Sequence, residues 1–375
     1  MSYKAKTLGR FIIFVSIIQS ILFLGHWFLY WTLVRFFGVV NPAPLWSLRG
    51  TLGLLSISLV LTSFLAFSYS NFAARFLYTA SACWLGIFYL LIIASALSWF
   101  VYSVGKGVHL SIDRRLLIEI LIGMAFLTSL YGFINAAAIR TTEITVHLPG
   151  LPPQWKGKTA VWVSDLHLGH VRNYGFSQEI ANMTRNLKPD ILFVGGDLYD
   201  GIAVDTNKVI EPFSQNSVPH GTYFITGNHE EFGDNTVYLE AVKRAGMKVL
   251  NNQMIELDGL QILGVDYRDS RNRDQFRAIL KRMKINPHKP SILLKHAPFD
   301  LDVAREEGIS LQLSGHTHQG QVFLFRFITS LVYKGYDYGF KRLGDLLIYT
   351  SSGAGTWGPP MRVDTIPEIV VIRFE

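Results

Sequence analysis

Thr159-Ala160-Val161-Trp162-Val163 runs directly into Ser164-Asp165-Leu166-His167-Leu168-Gly169-His170. The first five residues are apolar or β-branched, and such a run reads as a buried strand. A strand that ends in Asp-x-His delivers a carboxylate and an imidazole together at the edge of a sheet. Side chains i and i+2 of a strand point the same way, so Asp165 and His167 are expected to converge on one point. An oxygen and nitrogen pair of this kind suits a divalent metal such as Mn²⁺, Fe²⁺ or Zn²⁺. Alone, a capping Asp beside a surface His would read the same. Four later strand ends repeat the design.

Residues 191–194 run into Gly195-Gly196-Asp197-Leu198-Tyr199-Asp200, and residues 222–226 into Gly227-Asn228-His229-Glu230. Strand 291–294 ends in Lys295-His296-Ala297-Pro298, and 310–313 in Ser314-Gly315-His316-Thr317-His318-Gln319. Helical patterns cover 176–187, 204–213, 236–245 and 273–283. Residues 144–148 read as a first strand. Residues 248–250, 254–257 and 261–265 are short strands, with Asp258-Gly259 turning the hairpin between the last two. Residues 346–350 and 368–373 supply the closing strands. Strands alternating with helices, followed by strand-rich sequence, predict an α/β sandwich of two sheets with helices outside.

Sites in open α/β sheets sit at the C-terminal ends of strands. The candidate set there is Asp165 and His167, Asp197, Asn228 and His229, His296, then His316 and His318. These are oxygen and imidazole donors without a thiolate, and they suffice for two ions if one carboxylate bridges. Two metals about 4 Å apart polarise a phosphoryl oxygen, activate water and clamp the attacking and leaving groups. Gly196, Gly227 and Gly315 beside these residues permit tight turns and close backbone approach.

Composition divides the chain. Residues 1–140 hold ten Lys/Arg and two Asp/Glu, a net of +8, which leaves 25 and 26 for residues 141–375, a net of −1. The overall +7 therefore belongs to the first third. A basic nucleic-acid footprint would lie on the folded domain, so nucleic acid is not an expected partner. The single cysteine, Cys83, lies in an apolar run and leaves the rest without a disulfide or thiolate site.

That first third reads as membrane. Apolar runs at 11–34, 51–70, 76–102 and 116–138 are each long enough to span a bilayer, predicting a four-helix transmembrane anchor over 1–140. A cleaved leader would explain the first run only. Trp27, Trp31, Trp46, Trp84 and Trp99 mostly lie toward span ends, as interfacial aromatics do. His26 reads as a packing or interfacial residue. With the N-terminus inside, Lys4, Lys6, Arg10, Arg75, Arg140, Lys156 and Lys158 fall inside, against Arg35, Arg49, Lys106, Arg114 and Arg115 outside. The positive-inside rule then favours a catalytic domain on the cytoplasmic face.

The ordered set Asp-x-His, Gly-Asp, Gly-Asn-His-Glu, His and Gly-His-x-His resembles the calcineurin-like metallophosphoesterase superfamily. Ser-Asp-Leu-His-Leu-Gly together with Gly-His-Thr-His-Gln-Gly-Gln is similar to its YkuE-like, membrane-anchored bacterial branch. The resemblance covers residues 142–375 and implies a domain over 141–375 with an α/β/β/α sandwich. It also implies a bacterial inner-membrane protein that hydrolyses a phosphodiester, phosphomonoester or pyrophosphate bond. Asp165, His167 and His318 would hold one divalent ion (Mn, Fe, Zn or similar), Asn228, His296 and His316 the other, and Asp197 would bridge. A metal-bridging hydroxide would attack, and His229 would protonate the leaving oxygen, kept charged by Glu230 or Asp200.

Several residues fit no such position. His170, His220 and His288 read as surface or loop histidines, and Asp200 as a turn cap. Gly353-Ala354-Gly355 matches a glycine-rich loop of the family or a plain turn. Tyr333, Tyr336, Tyr338 and Phe340 read first as packing, with an apolar substrate groove as the other reading. Four spans favour membrane lipids as partners and a lipid-linked phosphate as substrate, since tethering raises the effective concentration of such a substrate. Superfamily members that hydrolyse UDP-diacylglucosamine are one analogy. A membrane sensor or scaffold with a non-catalytic domain is the reading from another class, which the intact His229 disfavours.

Overall fold

The computed structural model describes residues 3–232 and 234–375, with side chains from residue 12 onward. The side chains of Lys4, Lys6, Arg10 and Phe11, used in the membrane reading, lie outside the described residues. The chain forms two compact units, Met1–Phe133 and Ile134–Glu375.

The first unit holds helices α1 (Tyr3–Phe37), α2 (Pro42–Ser68), α3 (Phe72–Gly107) and most of α4 (Arg114–Ala137). All four are long and apolar enough to cross a membrane. Helices α1 and α2 begin at Tyr3 and Pro42, well before the apolar runs at 11 and 51, whereas α2 and α4 stop at Ser68 and Ala137, just short of the expected ends. Asn71 caps α3 by accepting from the Ala74 amide. Polar groups inside the spans serve packing: Trp84 Nε1 donates to His26 Nε2 at 3.0 Å, and the His26 ring stacks on Phe88.

The second unit begins with β1 (Arg140–Val146), β2 (Thr159–Val163), α5 (Tyr174–Asn186), β3 (Ile191–Val194), α6 (Thr206–Ile210) and β4 (Thr222–Phe224). Then follow α7 (Thr236–Arg244), β5 (Lys248–Val249), β6 (Gln253–Leu257), β7 (Leu260–Gly264), α8 (Tyr267–Ser270) and α9 (Arg273–Met283). The chain closes with β8 (Ser291–Leu294), α10 (Leu301–Glu306), β9 (Leu311–Ser314), α11 (Phe325–Val332), β10 (Gly339–Leu343), β11 (Leu346–Thr350) and β12 (Glu368–Phe374).

One sheet has the order β1-β12-β2-β3-β4-β5 and the other β10-β11-β9-β8-β7-β6. Strands β2 to β5 run parallel, as do β7, β8, β9 and β11, with antiparallel hairpins at both edges of the second sheet. Alternation along β2 separates the layers. Ala160 and Trp162 join the core shared by both sheets, while Val161 and Val163 pack under α5 to α7. Phe276, Ile279 and Leu280 of α9 cover the outer face of the second sheet. The layers are α/β/β/α.

Local differences from expectation have physical causes. β1 starts at Arg140 rather than 144, because polar Thr142 and Glu143 sit on an edge strand paired only with β12. The helix expected over 204–213 is cut short by Pro212, which opens a 3₁₀ turn at Glu211–Gln215. Helices α10 and α11 and strand β10 have no counterpart among the elements expected from sequence. Each is short, and α11 buries none of its residues.

Candidate metal centre

Every loop that carries a candidate ligand leaves the C-terminal end of a parallel strand: β2, β3 and β4 in one sheet, β8 and β9 in the other. Backbone hydrogen bonds tie these loops together. The Asp165 amide donates to Gly196 O at 3.0 Å, and the His167 amide to Asp197 O at 3.0 Å. Across the sandwich, the His316 amide donates to Asp165 Oδ1 at 2.9 Å. The His296 ring meets Gly195 O through Nδ1 at 2.7 Å.

Asp165 and His167 do converge, but not by strand alternation. β2 has ended, and both residues are left-handed, with φ of 57° and 50°. Asp197, His316 and His318 share that conformation, with φ of 48°, 70° and 47°. Such non-glycine residues cost of order 1–3 kcal/mol each and persist only where surroundings over-determine them. Five of them at candidate ligand positions mark the place where the fold stores strain.

Two three-residue groups have ligand atoms close enough to hold an ion: Asp165, His167 and His318, and Asp197, His296 and His316. A third, His167, Asp197 and His229, shares a residue with each, so His229 is also within reach of a metal. His167 Nε2 faces His318 Nε2 at 2.9 Å, and His316 Nδ1 faces His296 Nε2 at 3.2 Å. His296 Nε2 lies 3.2 Å from Asp197 Oδ2 and 3.3 Å from Asn228 Oδ1. Buried imidazole nitrogens turned on one another beside two carboxylates form a donor set that fits divalent cations. The far nitrogen of His296, held by Gly195 O, has a partner of the kind that orients metal-bound histidines. His167 Nδ1 is 3.4 Å from Asp200 Oδ1, and His318 Nδ1 is 3.3 Å from a guanidinium nitrogen of Arg362.

Electrostatics agree with that donor set. Burial, helped by His296, pushes His316 down to about 3. Burial and the neighbouring His167 hold His318 well below its ordinary value, so both rings are neutral donors. Burial would also lower His296, but Asp197 and Asp165 outweigh it and bring it up to about 9. Burial would raise Asp197, yet His296, His229 and His167 hold it well below the usual range. Burial, with Asp197 nearby, raises Asp165, so the two carboxylates of the pocket are not alike.

His229 donates its amide to Asp197 Oδ1 at 2.8 Å, and its Nδ1 lies 3.0 Å from Asp200 O. Burial, then His167, lower its pKa, so the pocket's own carboxylates do not keep it protonated. Glu230 is not its partner. That carboxylate accepts the amides of Asp197, Tyr199 and Gly227 at 2.9, 3.0 and 2.7 Å, fixing the turn under Asp197. Asp200 is not a turn cap: buried between His167 and His229, it is pushed up to about 7, first by burial.

His170 is buried rather than on the surface and His220 lies against the Trp155 ring, whereas His288 is exposed as expected. Tyr333 stands 6.2 Å from His316, whereas Tyr336 packs against the core and Tyr338 approaches Glu368. Arg362, fully buried and bonded to Gly355 O and Ser352 O as well as to His318, carries no sequence signal. Gly353-Ala354-Gly355 is more than a turn, since its amides at 354 and 355 donate to Ser164 O and Asp165 O. Gly353 has φ +75°, and a Cβ there would lie 2.6 Å from the Cβ of Asp165. Gly353→Ala is therefore expected to displace Asp165 and weaken metal affinity by about 10- to 100-fold, the usual scale for disturbing the support of a metal ligand. Metal titration of the purified variant measures this.

A family model described as calcineurin-like phosphoesterase matches residues 159–320. An uncharacterized metallophosphoesterase of Campylobacter jejuni is 33% identical over 268 residues, covering 70% of this chain and 70% of that protein. A transmembrane protein with metallophosphoesterase domain from Danio rerio is 30% identical, covering 65% of this chain and 60% of its own length. The uncharacterized metallophosphoesterase YkuE of Bacillus subtilis is 29% identical, covering 65% of this chain and 90% of that protein.

Proposed function

Because this chain belongs to the calcineurin-like metallophosphoesterase family, and so is a metal-dependent phosphoesterase, we propose that it is a two-metal enzyme acting on lipid-borne phosphate. Asp165, His167 and His318 would hold one ion and Asn228, His296 and His316 the other, with Asp197 as the carboxylate shared between them. Two divalent ions, when bound, supply Lewis acidity toward a phosphoryl oxygen and activate water at neutral pH. The chain's own part is positioning and proton delivery. His229 turns Nδ1 to Asp200 O, so Nε2 would first take up a proton as the anionic substrate binds and then give it to the leaving oxygen. Phe232 and Trp357 flank its ring, with centroids 4.7 and 6.1 Å away, and limit water there. The observation that carries this reading is an additional imidazole beside two ligand groups.

Hydrolysis by the purified full chain with Mn²⁺, comparing an artificial phosphodiester with a monoester, tests the reaction class. Metal-independent turnover, or none with both ions bound, would reject it. We place the catalytic domain on the cytoplasmic face of a bacterial inner membrane on the positive-inside balance, and a reporter fused to the C-terminus tests that side.

Support for a lipid-borne substrate comes from α11. Phe325, Phe327, Ile328, Leu331 and Val332 are all exposed, Leu331 by 82%. The polar residues face the domain instead: Arg326 pairs with Asp364, and Thr329 lies against Asp337. This inverts the ordinary pattern of a surface helix. Burying one such side chain in lipid is worth about 1.5–3 kcal/mol. Phe327→Glu with Leu331→Glu is thus expected to lower hydrolysis of a vesicle-borne ester by about tenfold or more. Hydrolysis of a soluble artificial ester should be unchanged, and an equal loss on both substrates would count against a role in meeting lipid.

A further inference from the structure

A cavity of about 290 Å³ lies wholly within the first unit, lined by Trp31 and Arg35 of α1, Trp99, Tyr102 and Lys106 of α3, and Arg114 of α4. Arg35 and Lys106 stand in the last turns of their helices, and Arg114 opens its own. The cavity therefore sits at span ends, where lipid headgroups lie. Residues 1–133 contain only two acids, Asp113 and Glu119, and both are engaged elsewhere. Asp113 caps α4 by accepting the amides of Arg115 and Leu116, and Glu119 accepts from Arg115 Nε at 2.8 Å. Among the described residues, no ion pair joins Arg35, Lys106 or Arg114 to a carboxylate.

A single cation at a span end merely snorkels. Here three helices bring three cations to one cavity, and aromatic rings shape its wall. Trp31 stacks on Trp99 at 4.2 Å with an interplanar angle of 8°, and Trp99 is fixed by donating Nε1 to Thr32. The Arg114 guanidinium lies 5.8 Å from the Tyr102 ring centroid. We propose that this cavity binds the phosphate of an anionic phospholipid, whose acyl chains lie along the apolar flanks of α1 and α3. On the orientation proposed above the cavity opens at the outer face, where three cations without carboxylate partners suit one anionic headgroup by charge alone, and interfacial Trp and Tyr suit the adjoining glycerol region. The inference uses no residue of the metal centre and stands apart from the hydrolytic reading.

The test uses the purified full chain in a neutral detergent, stripped of lipid, with bound lipid counted by native mass spectrometry. Phosphatidylglycerol, phosphatidylcholine with the same acyl chains, and inorganic phosphate are added in separate arms. The expected result is one retained phosphatidylglycerol, and affinity lower by about fivefold for each cation removed in Arg35→Gln, Lys106→Gln and Arg114→Gln. Arg75→Gln, on another helix end, should bind as the parent does. Equal retention of phosphatidylcholine, or full binding by the triple variant, would overturn the proposal. Saturation by inorganic phosphate that excludes the lipid would assign the cavity to a free anion and overturn it too. If the triple variant does not purify as a single species, the single Lys106→Gln variant and the charge-preserving Arg114→Lys carry the comparison.

Discussion

Asp197→Asn is expected to abolish measurable hydrolysis and to reduce bound metal, while leaving the domain folded. The substitution keeps the shape and preserves an acceptor at Oδ1 for the His229 amide, so the turn after β3 is retained. What it removes is the negative charge opposite His296, whose Nε2 lies 3.2 Å away, and opposite His167 at 3.9 Å. Asp197 belongs to one candidate ligand group and lies within reach of His167 of the other, so its loss is expected to act on both sites. Metal-centred catalysis contributes several kcal/mol, and each 1.36 kcal/mol is about tenfold in rate. Turnover should fall by about 10³-fold or more. Elemental analysis and a melting curve measured beside the parent decide the matter. Unchanged metal content with only a small rate loss would show that Asp197 does not touch both ions.

The order of candidate ligands along the chain is legible because each sits where an apolar run stops. β2, β3 and β8 begin and end at the residues their apolar character marks. Backbone conformation is not legible. Five left-handed non-glycine residues leave no trace in composition, so strand alternation predicts the convergence of Asp165 and His167 for the wrong reason. Glu230 and Asp200 are both visible as carboxylates near His229, but sequence adjacency cannot tell a side chain that faces an imidazole from one that turns back to hold amides. Arg362 is out of reach of sequence pattern altogether, since a fully buried guanidinium is fixed by carbonyls from the Gly353 loop. The exposed apolar face of α11 is hidden for the opposite reason. An amphipathic stretch reads the same whether its apolar side faces a core or solvent. Only the contacts of Arg326 with Asp364 and of Thr329 with Asp337 reveal the inversion.

His229→Ala is expected to lower turnover by about 10²- to 10⁴-fold, the range for a positioned general acid, with the same metal content as the parent. The ring's Nδ1 is held by Asp200 O, and burial together with His167 lowers its pKa. A neutral resting imidazole must gain its proton when the anionic substrate arrives, because added negative charge favours the charged form. The loss should therefore depend on the leaving group. Esters of a poor leaving group such as an aliphatic alcohol need the proton and should lose most, whereas a nitrophenyl ester leaves without help and should lose least. The same geometry puts His229 within reach of a metal beside His167 and Asp197, which gives a rival explanation for any loss of activity. A ligand role predicts lower metal content and equal losses for good and poor leaving groups. Proton delivery predicts full metal content and a gradient across the series, so one set of rate and metal measurements separates the two.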